Sequence, residues 1–349
     1  MALSSYHISV SKALTAPSTR LQKYLIKRRL AHALFGDVLL CLYTPSKEMV
    51  AVKRVLLTSA AAQVTLMTRR RVRESVAFEL GMYRALKALN GHGHENVIRM
   101  LDEIEHDGYL YIVLEFCARG ELFDVIQSSA EGRLDTMDAA RYFRQIINGV
   151  RYLHQSGYAH RDLSLENVLL TDDDECKICD FGLASPAQSA CSEPVGKAFY
   201  MAPEMIQGRY YDPIKADIWS LGIMLFIMLT GSPPVEAARG PDSRYRIIAS
   251  HGVQALLQKL KIKNEIPSTA IDLLNKMLCV EPQQRISLSQ VAQHPFLAEN
   301  SGDFVSVVFE ENELFTVPMY LGGNDNFLAI TLYHLLQKTI QYVTTKSAA

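Results

Sequence analysis

The chain has 349 residues, 48% hydrophobic and 21% charged, a composition that excludes a disordered polymer and allows one large buried core. Its net charge of −1 is uneven: residues 1–73 carry +11 and the rest −12, but the basic clusters Lys27-Arg28-Arg29 and Arg69-Arg70-Arg71 are short and read as a solvated face, so nucleic acid is not an expected partner. Six scattered cysteines form no disulfide framework and no apolar signal core is present, which implies an intracellular setting, cytoplasmic with the nucleus also open.

Residues 1–23 are a loose Ser-, Thr- and Ala-rich extension, and structure is expected from Tyr24. Two apolar runs, Leu34 to Tyr43 and Met49 to Leu57, flank the turn-like Thr44-Pro45-Ser46-Lys47 and predict an antiparallel strand pair. The second run holds Val50-Ala51-Val52-Lys53, and the first is entered through Ala31-His32-Ala33-Leu34-Phe35-Gly36-Asp37-Val38. Residues 69–89 predict a helix, with Val76, Leu80, Tyr83, Leu86 and Leu89 on one face and Glu79 one turn before Tyr83. Leu110 to Phe116 reads as a strand. After Gly120 the pattern turns helical, first at Glu121-Leu122-Phe123-Asp124 and then over Met137 to His154. Three motifs follow: His160 to Asn167, reading HRDLSLEN; Asp180-Phe181-Gly182; and Ala202-Pro203-Glu204. The apolar run Ile218 to Thr230 is too short to span a bilayer and predicts a buried core helix. Cys176 and Cys179 form a CxxC with no second ligand pair to make a zinc site. The last fifty residues hold the acidic Glu310, Glu311 and Glu313 and a helical pattern over Phe327 to Val343, readable as a packed helix or a regulatory tail.

The ordered motifs resemble those of eukaryotic protein kinases of the serine/threonine type, closest in pattern to the calcium/calmodulin-kinase-like group, over about residues 24–298. The resemblance implies an α+β fold in two lobes. A small antiparallel-sheet N-lobe with one main helix would occupy about residues 24–116, a mostly helical C-lobe 117–298, and a C-terminal tail 299–349. It implies transfer of the γ-phosphate of ATP to a protein hydroxyl with Mg2+ as cofactor. Lys53 would orient the phosphates, held by Glu79 with Glu74 as the alternative; Asp180 and Asn167 would hold the metal; Asp162 would accept the hydroxyl proton. Ala31, Ala33, Gly36, Val38, Ala51, Glu115, Cys117 and Leu169 would line the nucleotide site. Phe181 and His160 would stack with Tyr83 and Met100, Asp217 would anchor the catalytic loop, and Arg285 would pair with Glu204. Glu121 and Glu166 fall where substrate arginines are received, so basic target sites are expected.

Three departures from the family pattern stand out. Ala31 and Ala33 occupy glycine positions of the phosphate-covering loop, which predicts weaker nucleotide binding. Ser164 stands where a lysine is usual and Lys197 where a threonine is usual, which predicts an exchange of charge and hydroxyl across the site. Glu193, beside Ser192, falls where an activating phosphoresidue often sits and would face Arg161. A scaffold that keeps the fold without turnover, and a kinase of small molecules, remain alternatives on the sequence alone, and the oligomeric state is open.

Overall fold

Period-two alternation shapes the first sheet. Strands β1 (Tyr24–Ala33), β2 (Gly36–Tyr43), β3 (Glu48–Leu56), β4 (Met100–His106) and β5 (Tyr109–Glu115) lie in the order β1-β2-β3-β5-β4, each pair antiparallel. On β3, Val50 and Val52 face outward into an apolar cluster with Leu39, Cys41, Tyr111 and Val113, while Ala51, Lys53 and Val55 point the other way into a cleft. Leu21, in the segment expected to be loose, is buried in that outer cluster. β1 runs on through Ala31 and Ala33 as strand, its register to β2 shifting between Arg29 and Ala31, so the expected phosphate-covering loop narrows to a turn at Leu34 and Phe35. The computed structural model describes residues 19–91, 93–262 and 266–298 and two short strands at 304–308 and 314–318. The chain divides into two units, residues 1–297 and 298–349. In the second, Phe304–Val308 and Leu314–Pro318 pair antiparallel, and the helix expected over Phe327 to Val343 lies outside the described residues.

A short helix, α1 (Leu57–Ala62), leaves β3, and the main helix of this lobe, α2, spans Val76–Asn90. It begins seven residues later than periodicity suggested because Ser75 caps it, its Oγ accepting from the Phe78 N–H at 3.2 Å. The residues before the cap are occupied otherwise: Val64 and Arg71 pair as an antiparallel bridge and Arg69 takes a positive φ of 54°. Leu89, expected on the buried face, is 61% exposed in the last turn. Val76, Tyr83 and Leu86 are buried with Met82, which fixes the helix against the sheet and aims Glu79 inward.

The second lobe starts with strand β6 (Gly120–Glu121) and helices α3 (Leu122–Gln127) and α4 (Thr136–Gln155), the latter capped by Asp135. Phe143, Ile146, Ile147, Val150 and Leu153 recur at three and four residues on its buried face. Strand β7 (Tyr158–Ala159) pairs with β10 (Ser185–Pro186), while β6 joins β8 (Val168–Leu170) and β9 (Cys176–Ile178) in a small sheet. Helix α5 (Pro203–Ile206) leads to α6 (Pro213–Thr230), buried on nearly every side; α7 (Ser243–Lys259), broken at Gly252 by a φ of 78°, meets α8 (Ser268–Met277), which packs on α6, while α9 (Leu288–Ala292) packs on α4. At 18 residues α6 is long and apolar enough to cross a membrane, which corrects the argument from length, but 83% of it is buried within the fold, so it serves as the core helix. Below it, the fully buried Arg285 guanidinium meets Glu204 in two parallel bonds of 2.6 and 3.0 Å and lies over the Trp219 ring.

Candidate active site

Each chemical group reaches the cleft on a different element. Lys53 sits mid-strand on β3, its backbone paired with Val38 on one side and Ile112 on the other. Its Nζ donates to both oxygens of Glu79, at 2.7 and 2.9 Å, and lies 3.5 Å from Asp180 Oδ1. Burial works against the ammonium charge, but the Glu79 and Asp180 carboxylates outweigh it and raise the Lys53 pKa, so the lysine stays charged. Glu79 is therefore the partner, and Glu74 takes another position. It lies within the cleft, its carboxyl pushed up to about 7 by burial and then by Asp180, with Lys53 opposing.

The loop after β7 holds the second group. Asp217 on α6 accepts from the backbone N–H groups of His160 and Arg161, both at 2.8 Å, and from His154 Nε2 at 2.8 Å. These bonds support Arg161 at a positive φ of 63° and fix the backbone of its neighbour Asp162. Asn167 Nδ2 donates to the Asp162 carbonyl oxygen at 2.8 Å and to its Oδ2 at 2.9 Å, while Asp162 Oδ1 is buried and unpartnered among the described residues. Burial raises the Asp162 pKa against the pull of Lys197, His160 and Asn167. Asp180, also at positive φ, is lowered by Lys53 despite burial, helped by His160 and the Gly182 N–H. The ring of Phe181 meets Tyr83 and His160 edge-on, centroids 5.1 and 5.6 Å away, and Met100 is buried in the same core, as the resemblance implied.

Lys197 enters from the segment opposite. Its Nζ donates to Ser164 Oγ at 2.8 Å and lies 3.9 Å from Glu166, which also accepts from the Tyr200 hydroxyl at 3.0 Å. The two exchanged positions thus meet. Gly196 allows this approach, because at its φ of +92° a Cβ would stand 2.9 Å from Asp162 Oδ1. Glu193 lies 3.8 Å from Arg161 and 3.5 Å from Arg73, and Arg161 Nε donates to the Leu183 carbonyl oxygen at 2.8 Å.

The cleft between these groups has a volume of about 740 Å³. Ala31, Ala33, Val38, Ala51, Glu115, Cys117 and Leu169 all line it, as do Lys53, Glu79, Asp162, Asn167, Asp180 and Lys197. Gly36 does not. Its backbone presses against β3, where a Cβ would fall 1.8 Å from the Arg54 carbonyl oxygen, so this glycine serves strand pairing. Ser164 is fully buried beneath Lys197. The resemblance offered Glu74 only as an alternative partner of Lys53, not as a separate cleft carboxyl, and gave no role to Gly196, the point of close approach. Glu74 adjoins the helix cap, a position that carries an N-terminal acid often enough to give no separate signal; Gly196 was legible only as a turn residue.

The arrangement fits a magnesium nucleotide. Asp180 and the Asn167 amide oxygen are hard oxygen donors of the kind Mg2+ takes, the fixed cation Lys53 suits phosphate, and the unpartnered Asp162 Oδ1 suits an incoming hydroxyl. Comparison with known proteins agrees. Residues 24–297 match the model of the protein kinase domain. The chain is 32% identical over 289 residues to an Arabidopsis thaliana protein named SNF1-related protein kinase catalytic subunit alpha KIN12, covering 82% of this chain and 54% of that one. It is 35% identical over 218 residues to the maternal embryonic leucine zipper kinase of Xenopus tropicalis, covering 61% and 32%. It is 33% identical over 284 residues to the Arabidopsis serine/threonine-protein kinase SRK2G, covering 80% and 74%. The chain thus spans about half the length of the first of these relatives and a third of the second.

Proposed function

The chain belongs to the protein kinase family, and we propose that it transfers the γ-phosphoryl group of ATP to serine or threonine hydroxyls of protein substrates. The observation that carries this reading is the convergence of the Lys53–Glu79 pair, Asp180, Asn167 and the unpartnered Asp162 oxygen on one cleft. Phosphoryl transfer asks for positioning and charge neutralisation more than for covalent chemistry. Asp180 and Asn167 would hold magnesium, which when bound would supply charge neutralisation on the phosphates. Lys53 orients them and is itself held by Glu79. Asp162 Oδ1 accepts the hydrogen bond of the target hydroxyl and takes its proton, with Asn167 steadying the other oxygen. Lys197 brings a second positive charge to the Asp162 side of the cleft, and Ser164 holds its ammonium in place.

Substrate choice follows from charge at the mouth, where Glu121, Asp124 and Glu166 line the cleft. Burial raises the Glu121 pKa, and Asp124 and Glu166 add to the effect against Lys197. A substrate arginine beside the target residue relieves that repulsion, so basic sites are favoured. The setting is intracellular, in cytoplasm or nucleus, a reading supported by six cysteines that are all free thiols. The test is labelling of a basic peptide mixture from radiolabelled ATP with magnesium, followed by phosphoamino-acid analysis. Label on serine and threonine is expected; label on tyrosine alone, or none on any peptide, overturns the reading.

A further inference from the structure

The connection between β3 and α2 does more than link them. After α1 the chain folds into a hairpin closed by the Val64–Arg71 bridge. Inside it, Thr65 N–H donates to the Arg70 carbonyl oxygen at 3.0 Å, Val72 N–H to that of Gln63 at 2.9 Å, and the hydroxyls of Thr65 and Thr68 meet at 2.7 Å. Such a closed set of bonds makes the hairpin one stiff body. One side of it holds the turn above the cleft, where Leu66 N–H donates to the Leu34 carbonyl oxygen at 2.9 Å. The residues that follow reach the segment beyond the cleft: Arg73 lies 3.5 Å from Glu193, and Ser75 N–H donates to the Gly182 carbonyl oxygen at 2.9 Å.

We propose that residues 63–75 are a clasp joining the phosphate-covering turn to the segment that receives substrate, with Leu66 and Arg73 as positioning residues. This rests on the phosphotransfer reading and extends it. With alanine at 31 and 33, the turn lacks the backbone freedom to shape itself around phosphates. Leu66 supplies from outside the constraint that fixes the Leu34 carbonyl, and the burial of Phe35 holds the next residue. Because Arg73, directly after the hairpin, contacts Glu193, order in the lower segment and nucleotide held under the turn are linked, and the linkage is reciprocal. The Arg73–Glu193 pair is more than half exposed on both sides, so its effect is modest and sensitive to salt.

Magnesium–ATP affinity of the full 349-residue chain, measured by calorimetry at low salt, provides the test. Arg73 lies outside the nucleotide cleft, yet Arg73→Gln should raise the Kd about threefold, and the KM for peptide by a similar factor. Glu193→Gln added to Arg73→Gln should weaken nucleotide binding no further, since the link is already cut. In about 0.5 M KCl the difference between wild type and Arg73→Gln should vanish, which a packing defect would not do. A Kd unchanged by Arg73→Gln at low salt, or fully additive effects of the two substitutions, overturns the clasp. Failure of the wild-type chain to bind magnesium–ATP at all would instead count against the kinase reading.

Discussion

Lys197 and Ser164 meet across the cleft, the contact that an exchange of charge and hydroxyl between the two positions requires. The ammonium reaches Ser164 Oγ at 2.8 Å from the opposite wall of the cleft, and it is the largest favourable charge acting on the Asp162 carboxylate. Removing one such group from a phosphoryl-transfer site costs on the order of a hundredfold in kcat. Lys197→Thr should show that loss in steady-state kinetics, and Ser164→Lys combined with Lys197→Thr should recover much of it, because residues in contact are not additive. A wild-type rate for Lys197→Thr alone would remove the lysine from the mechanism. Glu74 gives a second residue-level expectation. A carboxyl with its pKa near 7 in the fold, against an ordinary 4.5, is at no disadvantage below pH 4.5, loses stability as pH rises towards 7, and carries the full cost above that. That cost is about 3 kcal/mol at most. In nucleotide-free protein, Glu74→Gln should raise the melting temperature only slightly at pH 5 and clearly more at pH 8. An equal shift at both pH values would show that the effect is not one of ionisation.

At the scale of elements, the sequence was most legible where one period ran undisturbed. The α4 pattern from Ala140 to Leu153 and the β2–β3 pair came out within a residue or two of their ends. The start of α2 did not, because the hairpin at 63–73 is made by backbone bonds that leave no trace in hydrophobic spacing. β1 was obscured for a related reason: Lys27, Arg28 and Arg29 are exposed, so the apolar alternation that marks a strand is missing there. In the segment from Leu183 to Met201 the Glu193 carboxylate stands 3.8 Å from Arg161. Arg161 is nearly buried, and among the described residues Glu193 is its one ion-pair partner. A fixed carboxylate in that place would order the segment without modification, although with less charge than a phosphate. Phosphatase-treated protein and Ser192→Ala should both keep the untreated wild-type rate. A fall to background, restored by an activating kinase, would show that the carboxylate does not suffice.

Across the whole molecule, one core runs from α2 through Tyr83, Phe181 and His160 to α6, so the cleft has walls drawn from two lobes but one packed support. The motifs carrying the chemistry were readable in the sequence because each is a short, chemically constrained string; the contacts that set their geometry, such as Asp217 to the loop backbone or Lys197 to Ser164, join residues 33 to 57 positions apart, and only the resemblance hinted at them. In the proposed mechanism Asp162 is the group that receives the hydroxyl proton in a complete site. Asp162→Asn keeps the shape and the bonds to the loop but removes the base. Its rate of transfer from magnesium–ATP to peptide, measured beside wild type with the ATP Kd of each, tests the claim most directly. The expected result is a fall of about 10²- to 10⁴-fold in kcat with the Kd little changed. Equal turnover by Asp162→Asn and wild type, or a wild type that binds ATP and never transfers phosphate, would contradict it.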